Sequence, residues 1–246
     1  MRKIVHRPAE LFFLIQRTDK PLSNLALFIH GFRGNYLTTW GDLADQLRYE
    51  ADKKKVFEDW DYVFIGYDTK KVSTYLDIAQ FVWAEWKKAG AGLPPYRQQY
   101  AKLALFGHSL GTLGLRQALC ATAKQPANML KSVKSVTFFG SPINGSPLAG
   151  IGSLVYDIAD ALKPNSSQLR MLKAWTESAH MQPQTWPDVR VVLGIDDKVV
   201  GYLSGELMQW SGDEANPTLT GFDHGELVKP DGWNTAIMDH IETGLT

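Results

Sequence analysis

The sequence predicts an α/β chain: a mainly parallel sheet flanked by helices, interrupted once by a helical insertion. Three observations predict it. Short apolar runs recur along the chain, and the later ones are continuous, as strands buried on both faces require. Amphipathic stretches at helical spacing separate them, and strand–helix alternation builds parallel sheets. One connection runs for about 45 residues after Phe138-Phe139, where ~2–6 is usual.

The elements follow in order. Leu11–Ile15 reads as a strand and ends at Gln16-Arg17, too short for the apolar core of a signal peptide. After a turn holding Pro21 and Asn24, Leu25–Ile29 is the next strand. Thr39–Tyr49 carries Trp40, Leu43, Ala44 and Leu47 at helical spacing. Tyr62–Ile65 is a strand. Val72–Ala89 is a helix with Ile78, Val82 and Trp86 on one face, stopped near Gly90-Ala91-Gly92 before Pro94-Pro95. Leu103–Phe106, Val133–Phe139 and Val189–Leu193 are strands, Leu110–Ala123 is a helix, and Thr235–Thr243 closes the chain as a helix. Inside the long connection, Ser153–Leu162 and Gln168–Ser178 have helical periodicity. Residues 144–186 are therefore expected to form a cap within one domain spanning 1–246.

Composition excludes several classes. The chain has 246 residues, with 26 Lys+Arg against 26 Asp+Glu. Nucleic-acid binders draw affinity from a basic excess, and none is present, so no nucleic-acid partner is expected. A single cysteine, Cys120, excludes an internal disulfide and a cysteine-rich zinc site, and it points to a reducing, cytoplasmic setting. No apolar run approaches the ~20 residues of a membrane helix, so no integral span is expected. The six histidines are scattered without His-x-x-x-His spacing, and no phosphate-binding glycine motif occurs. Neither a metal nor a cofactor is expected. Trp40, Trp83, Trp86, Trp175, Trp186 and Trp210 read as packing residues.

The chemistry concentrates at Leu103-Ala104-Leu105-Phe106-Gly107-His108-Ser109-Leu110-Gly111. It is a hydrophobic strand, Gly-x-Ser-x-Gly, then a helix. A serine hydroxyl is a poor nucleophile until it is exposed, oriented and given a base. A sharp strand-to-helix turn exposes it, and flanking glycines remove side chains that would clash in the bend. Ser109 then sits at a helix N-terminus, where the Leu110 N–H can donate to a developing oxyanion.

This segment resembles the nucleophile elbow of α/β-hydrolase lipases and esterases, and the likeness extends from about Leu25 to Thr243. The resemblance implies an α/β-hydrolase fold, with the catalytic groups in the order serine, acid, histidine. His30-Gly31-Phe32-Arg33-Gly34 resembles the family's oxyanion loop, which would make the Phe32 N–H the second donor, with His30 bracing the loop. Gly194-Ile195-Asp196-Asp197-Lys198-Val199-Val200 resembles its acid segment and aligns Asp197 with the acid; Asp196 is the competitor. His224, in Gly221–Pro230, matches the histidine loop, whereas His240 falls inside the closing helix. Gly140-Ser141-Pro142-Ile143-Asn144-Gly145-Ser146 resembles a stretch that leads from such active sites into the cap. Of Leu154, Val155, Ile158, Leu162, Leu169, Met171, Leu172 and Trp175, most should pack the cap and a few should face an acyl chain. The function implied is a serine hydrolase of carboxylic esters, acting on a small-molecule or lipid-like ester through Ser109, Asp197 and His224 and an acyl-enzyme. The same triad serves acyltransferases and thioesterases, and a non-catalytic interaction scaffold is the reading from another class.

Overall fold

The computed structural model describes residues 2–123, 130–147, 149, 156–180, 186–200, 218–233 and 235–246. Its strands are β1 (Arg2–Arg7), β2 (Phe12–Arg17), β3 (Asn24–Ile29), β4 (Asp61–Ile65), β5 (Lys102–His108), β6 (Val133–Phe139), β7 (Asp188–Gly194) and β8 (Thr218–Thr220). They form one sheet in the order β1-β2-β4-β3-β5-β6-β7-β8. From β4 to β8 every pairing is parallel, while β1–β2 and β2–β4 are antiparallel. The mainly parallel sheet expected from the continuous apolar runs is therefore present, with an antiparallel edge.

The helices among the described residues are α1 (Leu43–Tyr49), α2 (Lys55–Glu58), α3 (Tyr75–Ala91), α4 (Leu110–Ala123), α5 (Asp157–Ala161), α6 (Ser167–His180) and α7 (Ala236–Leu245). α3 begins at Tyr75, later than the expected Val72, because Thr74 and Asp77 form a capping box. The Asp77 N–H donates to Thr74 Oγ1 (3.3 Å), and the Thr74 N–H donates to Asp77 Oδ2 (2.8 Å). The stretch expected as one helix from Thr39 divides at Gly41, whose φ of 56° ends a 3-10 turn before α1. Residues 153–155 of the expected cap helix, including Leu154 and Val155, lie outside the described residues, as does Trp210.

Period-two alternation along β3 divides the core between two faces. Leu25, Leu27 and Ile29 face a cluster with Ile78 and Val82 of α3 and Leu113 of α4. Ala26 and Phe28 face Trp40, Leu47 and, from α7, Met238 and Ile241. Register places Phe64, Phe28 and Phe106 in one row, and their rings stack at 4.6 and 4.7 Å. All three are fully buried, each contributing about 1.5–3 kcal/mol by leaving water. These layers hold the carboxyl ends of β3, β5, β6 and β7 side by side, where loops can converge.

α5 and α6 lie between β6 and β7 in the chain and are bound to the sheet domain. The Tyr75 hydroxyl donates to the Ala161 carbonyl (2.5 Å), the Ser73 hydroxyl to Asp157 Oδ2 (3.2 Å), and Gln168 Nε2 to the Ser73 carbonyl (3.4 Å). Cys120 Sγ on α4 meets Thr176 Oγ1 on α6 at 3.5 Å. Ile158, Leu162, Leu169 and Leu172 are buried, Trp175 is half-buried, and Met171 is exposed. Among the described residues no helix is long and apolar enough to cross a membrane.

Candidate active site

β5 ends at His108 and α4 begins at Leu110, so Ser109 is the whole turn between them. Its φ is 52°, a left-handed conformation that costs a residue with a side chain about 1–3 kcal/mol. The surroundings hold it there. Its N–H donates to the Phe139 carbonyl of β6 (2.9 Å), and its carbonyl accepts from Thr112 N (2.9 Å) and Thr112 Oγ1 (2.6 Å). Thr112 Oγ1 is also 2.6 Å from Ser141 Oγ. Because Thr112 has one hydroxyl proton, Ser141 is the donor in that second bond. Gly111 is required by packing: a β-carbon there would lie 2.3 Å from the His30 carbonyl oxygen. The first turn of α4 is thereby seated against the loop after β3. Leu110 opens that helix, where the first N–H groups have no intrahelical partner.

The loop after β3 presses on the serine. A β-carbon on Gly31 would fall 2.5 Å from Ser109 Cβ and 3.2 Å from Ser109 Oγ. His30 is buried. Its Nε2 accepts from Tyr67 N (3.2 Å), which leaves the proton on Nδ1 to donate to the Gly31 carbonyl (2.8 Å). The Tyr67 hydroxyl donates to the His30 carbonyl at 3.1 Å. Burial lowers the His30 pKa, so this brace is uncharged. Beyond it the chain turns: Gly34 N donates to the Gly31 carbonyl (3.1 Å), and Arg33, at φ 55°, donates its N–H to Thr69 Oγ1 (3.1 Å). The half-buried Phe32 sets its ring edge-on to Tyr156 at 4.9 Å.

Asp197 follows β7 and is buried. Its Oδ2 is 2.6 Å from His224 Nδ1, and its Oδ1 accepts from the N–H groups of Val199 and Val200, each at 2.9 Å. Burial by itself would raise the Asp197 pKa. The His224 hydrogen bond and charge, with the two N–H donors, outweigh burial and hold the carboxyl below its ordinary value. Asp196 is exposed, and His240 lies half-buried on α7. Of the two carboxylates and two histidines considered from sequence, the structure brings Asp197 and His224 together. Asp223 shapes the histidine loop, its Oδ1 accepting from Gly225 N (2.8 Å) and Glu226 N (2.9 Å).

Two contacts escaped the sequence reading. His108 adjoins Ser109 in the elbow. Its Nε2 lies 2.8 Å from the His224 carbonyl, and the two rings are 4.7 Å apart. A carbonyl can only accept, so Nε2 carries the proton. Nδ1 is buried with no hydrogen-bond partner among the described residues. Burial first, then proximity to His224, pushes the His108 pKa down to about 3. Gly140, at φ 54°, lies flat against His224: a β-carbon would approach Cε1 and Nδ1 to 3.2 Å. No spacing rule announces either contact, because residues more than 80 positions from His224 reach it only through strand order.

No curated protein sequence matches this chain. Solved structures do match in fold. The mature Bacillus licheniformis lipase BlEst2 superposes with a TM-score of 0.62 at 16% identity, over 88% of this chain and 92% of that one. Its propeptide form gives 0.64 at 15% identity over 96% of this chain, which spans about half (53%) of that longer protein. The Paleococcus ferrophilus monoacylglycerol lipase gives 0.54 at 14% identity, covering 90% and 93% of the two chains. Likeness at such identity shows the α/β-hydrolase fold. Residues 20–151, from β3 through Ser109 to the segment after Gly140, match the family described as "Putative serine esterase (DUF676)". That match covers more than half of the chain and includes the elbow and the loop pressed against it, and the chain belongs to this serine esterase family.

Proposed function

We propose that the chain hydrolyses carboxylic esters through Ser109, His224 and Asp197, by way of an acyl-enzyme. The observation that carries the reading is the 2.6 Å contact between the buried Asp197 and the half-buried His224, at the same sheet end as a serine held at positive φ. His224 takes the Ser109 proton as Oγ bonds to the substrate carbonyl carbon. The carbonyl electron pair moves to oxygen, which the N–H groups of Phe32 and Leu110 stabilise. Collapse breaks the ester C–O bond, and His224 protonates the departing alcohol. Water then attacks the acyl carbon, His224 taking its proton, and Ser109 regains one as the acid leaves. Asp197 stays ionised, fixing the proton on His224 Nδ1 and stabilising the imidazolium. The reaction needs no cofactor. Residues 144–186 serve as a cap over a small-molecule or lipid-like ester, a reading supported by the bonds tying α5 to Ser73 and Tyr75 and α6 to Ser73.

Ser109→Ala is expected to lower hydrolysis of short p-nitrophenyl esters by ~10³-fold or more and to abolish labelling by a fluorophosphonate. Wild-type turnover by a folded Ser109→Ala protein would overturn the mechanism.

A further inference from the structure

Beside the loop pressed on Ser109 lies a groove of about 440 Å³. Its charged lining residues are Arg33, Lys70, Lys71 and Asp68, three cations against one carboxylate. The groove beside His224 has the opposite balance, Lys198 and Lys229 against Asp196, Asp223 and Glu226. A chain with 26 cationic and 26 acidic side chains thus carries a local gradient across its candidate site.

The basic groove is built into the loop. Arg33 directly follows Phe32 in the chain and lines the groove, so a cationic residue adjoins the proposed oxyanion donor. Tyr156 lines the groove and packs on the Phe32 ring, so one wall of the groove touches the loop pressed on Ser109. The bond from Arg33 N to Thr69 Oγ1 ties Arg33 to the 3-10 turn Thr69–Lys71, which carries the other two cations. Asp68 caps that turn by accepting from Lys70 N at 3.0 Å. Its one ion pair among the described residues is with Lys71 at 4.0 Å, and neither Arg33 nor Lys70 has one there. With one carboxylate against three exposed cations the groove keeps a net positive charge, and a cleft with an excess of one sign raises the local concentration of its counter-ion.

We propose that this groove receives an anionic group of the ester substrate, carried within a few bonds of the scissile carbonyl. The proposal rests on the ester-hydrolase reading and names its substrate class.

Two matched comparisons test it. Monoethyl succinate against ethyl butyrate places a carboxylate on the acyl side; butyryl glycolate against ethyl butyrate places it on the alcohol side. One anionic ester is expected to exceed ethyl butyrate in kcat/KM by about 10-fold at low ionic strength, with the ratio falling as salt is added. Whichever pair shows the preference identifies the end that enters the groove. The ratio should fall towards one in Arg33→Gln/Lys70→Gln and persist in Arg33→Lys/Lys70→Arg. Binding of the same esters to Ser109→Ala protein, followed by NMR titration, reads the groove without turnover. Anion-selective binding lost in the double Gln variant, with no ester cleaved by the wild type, would refute the hydrolase reading and leave the groove standing. Equal kcat/KM within both pairs, or a preference untouched by Arg33→Gln/Lys70→Gln, would overturn the proposal.

Discussion

Asp196 and Asp197 are chemically identical neighbours with opposite surroundings. Asp197 accepts three hydrogen bonds in a buried loop, and Asp196 is in water. Asp197→Asn removes the acceptor that keeps the His224 proton on Nδ1, and kcat should fall by about 10³–10⁴; Asp196→Asn should stay within a factor of about two, because an exposed charge interacts weakly through water. Equal losses from the two substitutions would argue against the assignment. His108 is the second test at this scale. His108→Leu removes the donor to the His224 carbonyl and should lower kcat by about 10-fold with KM nearly unchanged, because in the proposed mechanism the contact positions the base and not the substrate. His108→Gln, which returns an N–H donor to the ε position, should recover most of that loss. A contact that merely filled space would be satisfied as well by Leu as by Gln.

At the scale of elements, the site depends on two backbones touching. The loop after β3 and the first turn of α4 meet at Gly31 and Gly111, and neither position has room for a methyl group. Gly31→Ala pushes the loop off Ser109. It should cost about 10²-fold in kcat, comparable to losing one oxyanion donor. Gly31→Ala meets Ser109 Cβ and Gly111→Ala a main-chain oxygen, neither of which can rotate away, so each should also destabilise folding by about 1–3 kcal/mol; urea unfolding of both variants checks it. Legibility followed burial. The long central elements were readable from apolar content: β6 spans Val133–Phe139 and α4 Leu110–Ala123, as the pattern implied. The edges were not. β1 (RKIVHR) is charged and half-exposed, as edge strands that avoid aggregation are, and so hides its periodicity. β8 has three residues, too few for a period to register.

Over the whole molecule, the end of the sheet opposite the site carries its own titrating group. Asp61 begins β4 fully buried, accepting from Arg17 N (2.7 Å) and the Tyr100 hydroxyl (2.7 Å), with Arg2 Nη1 at 3.9 Å. Burial pushes its pKa up from 3.8 to about 6, against the pull of those donors and of Arg2 and Arg17. Between these values the folded chain holds a proton that the unfolded chain has released, so this group's contribution to stability declines as pH rises across that window. The stability of wild type relative to Asp61→Asn should therefore fall by roughly 2 kcal/mol from pH 4 to pH 7. Denaturant unfolding at both pH values checks it, and parallel behaviour of the two proteins would contradict it. Net charge gives a related lesson: zero over 246 residues conceals a basic groove and an acidic one flanking the site.

The amino-acid sequence by itself determined the features that depend on neighbours along the chain. The strand–Gly-x-Ser-x-Gly–helix turn, the glycine after His30 and the continuous apolar strands are local, because backbone strain and burial periodicity are written within a few residues. Family membership followed from the same segment. Tertiary structure decided everything that depends on which loops converge: Asp197 rather than Asp196 against His224, His108 behind the histidine loop, and three cations gathered beside Phe32. Those outcomes depend on the sheet order β4-β3-β5-β6-β7, which brings loops from distant parts of the chain to one end. Hydrogen bonds and charges act over a few ångströms in space, and separation in sequence does not report that distance.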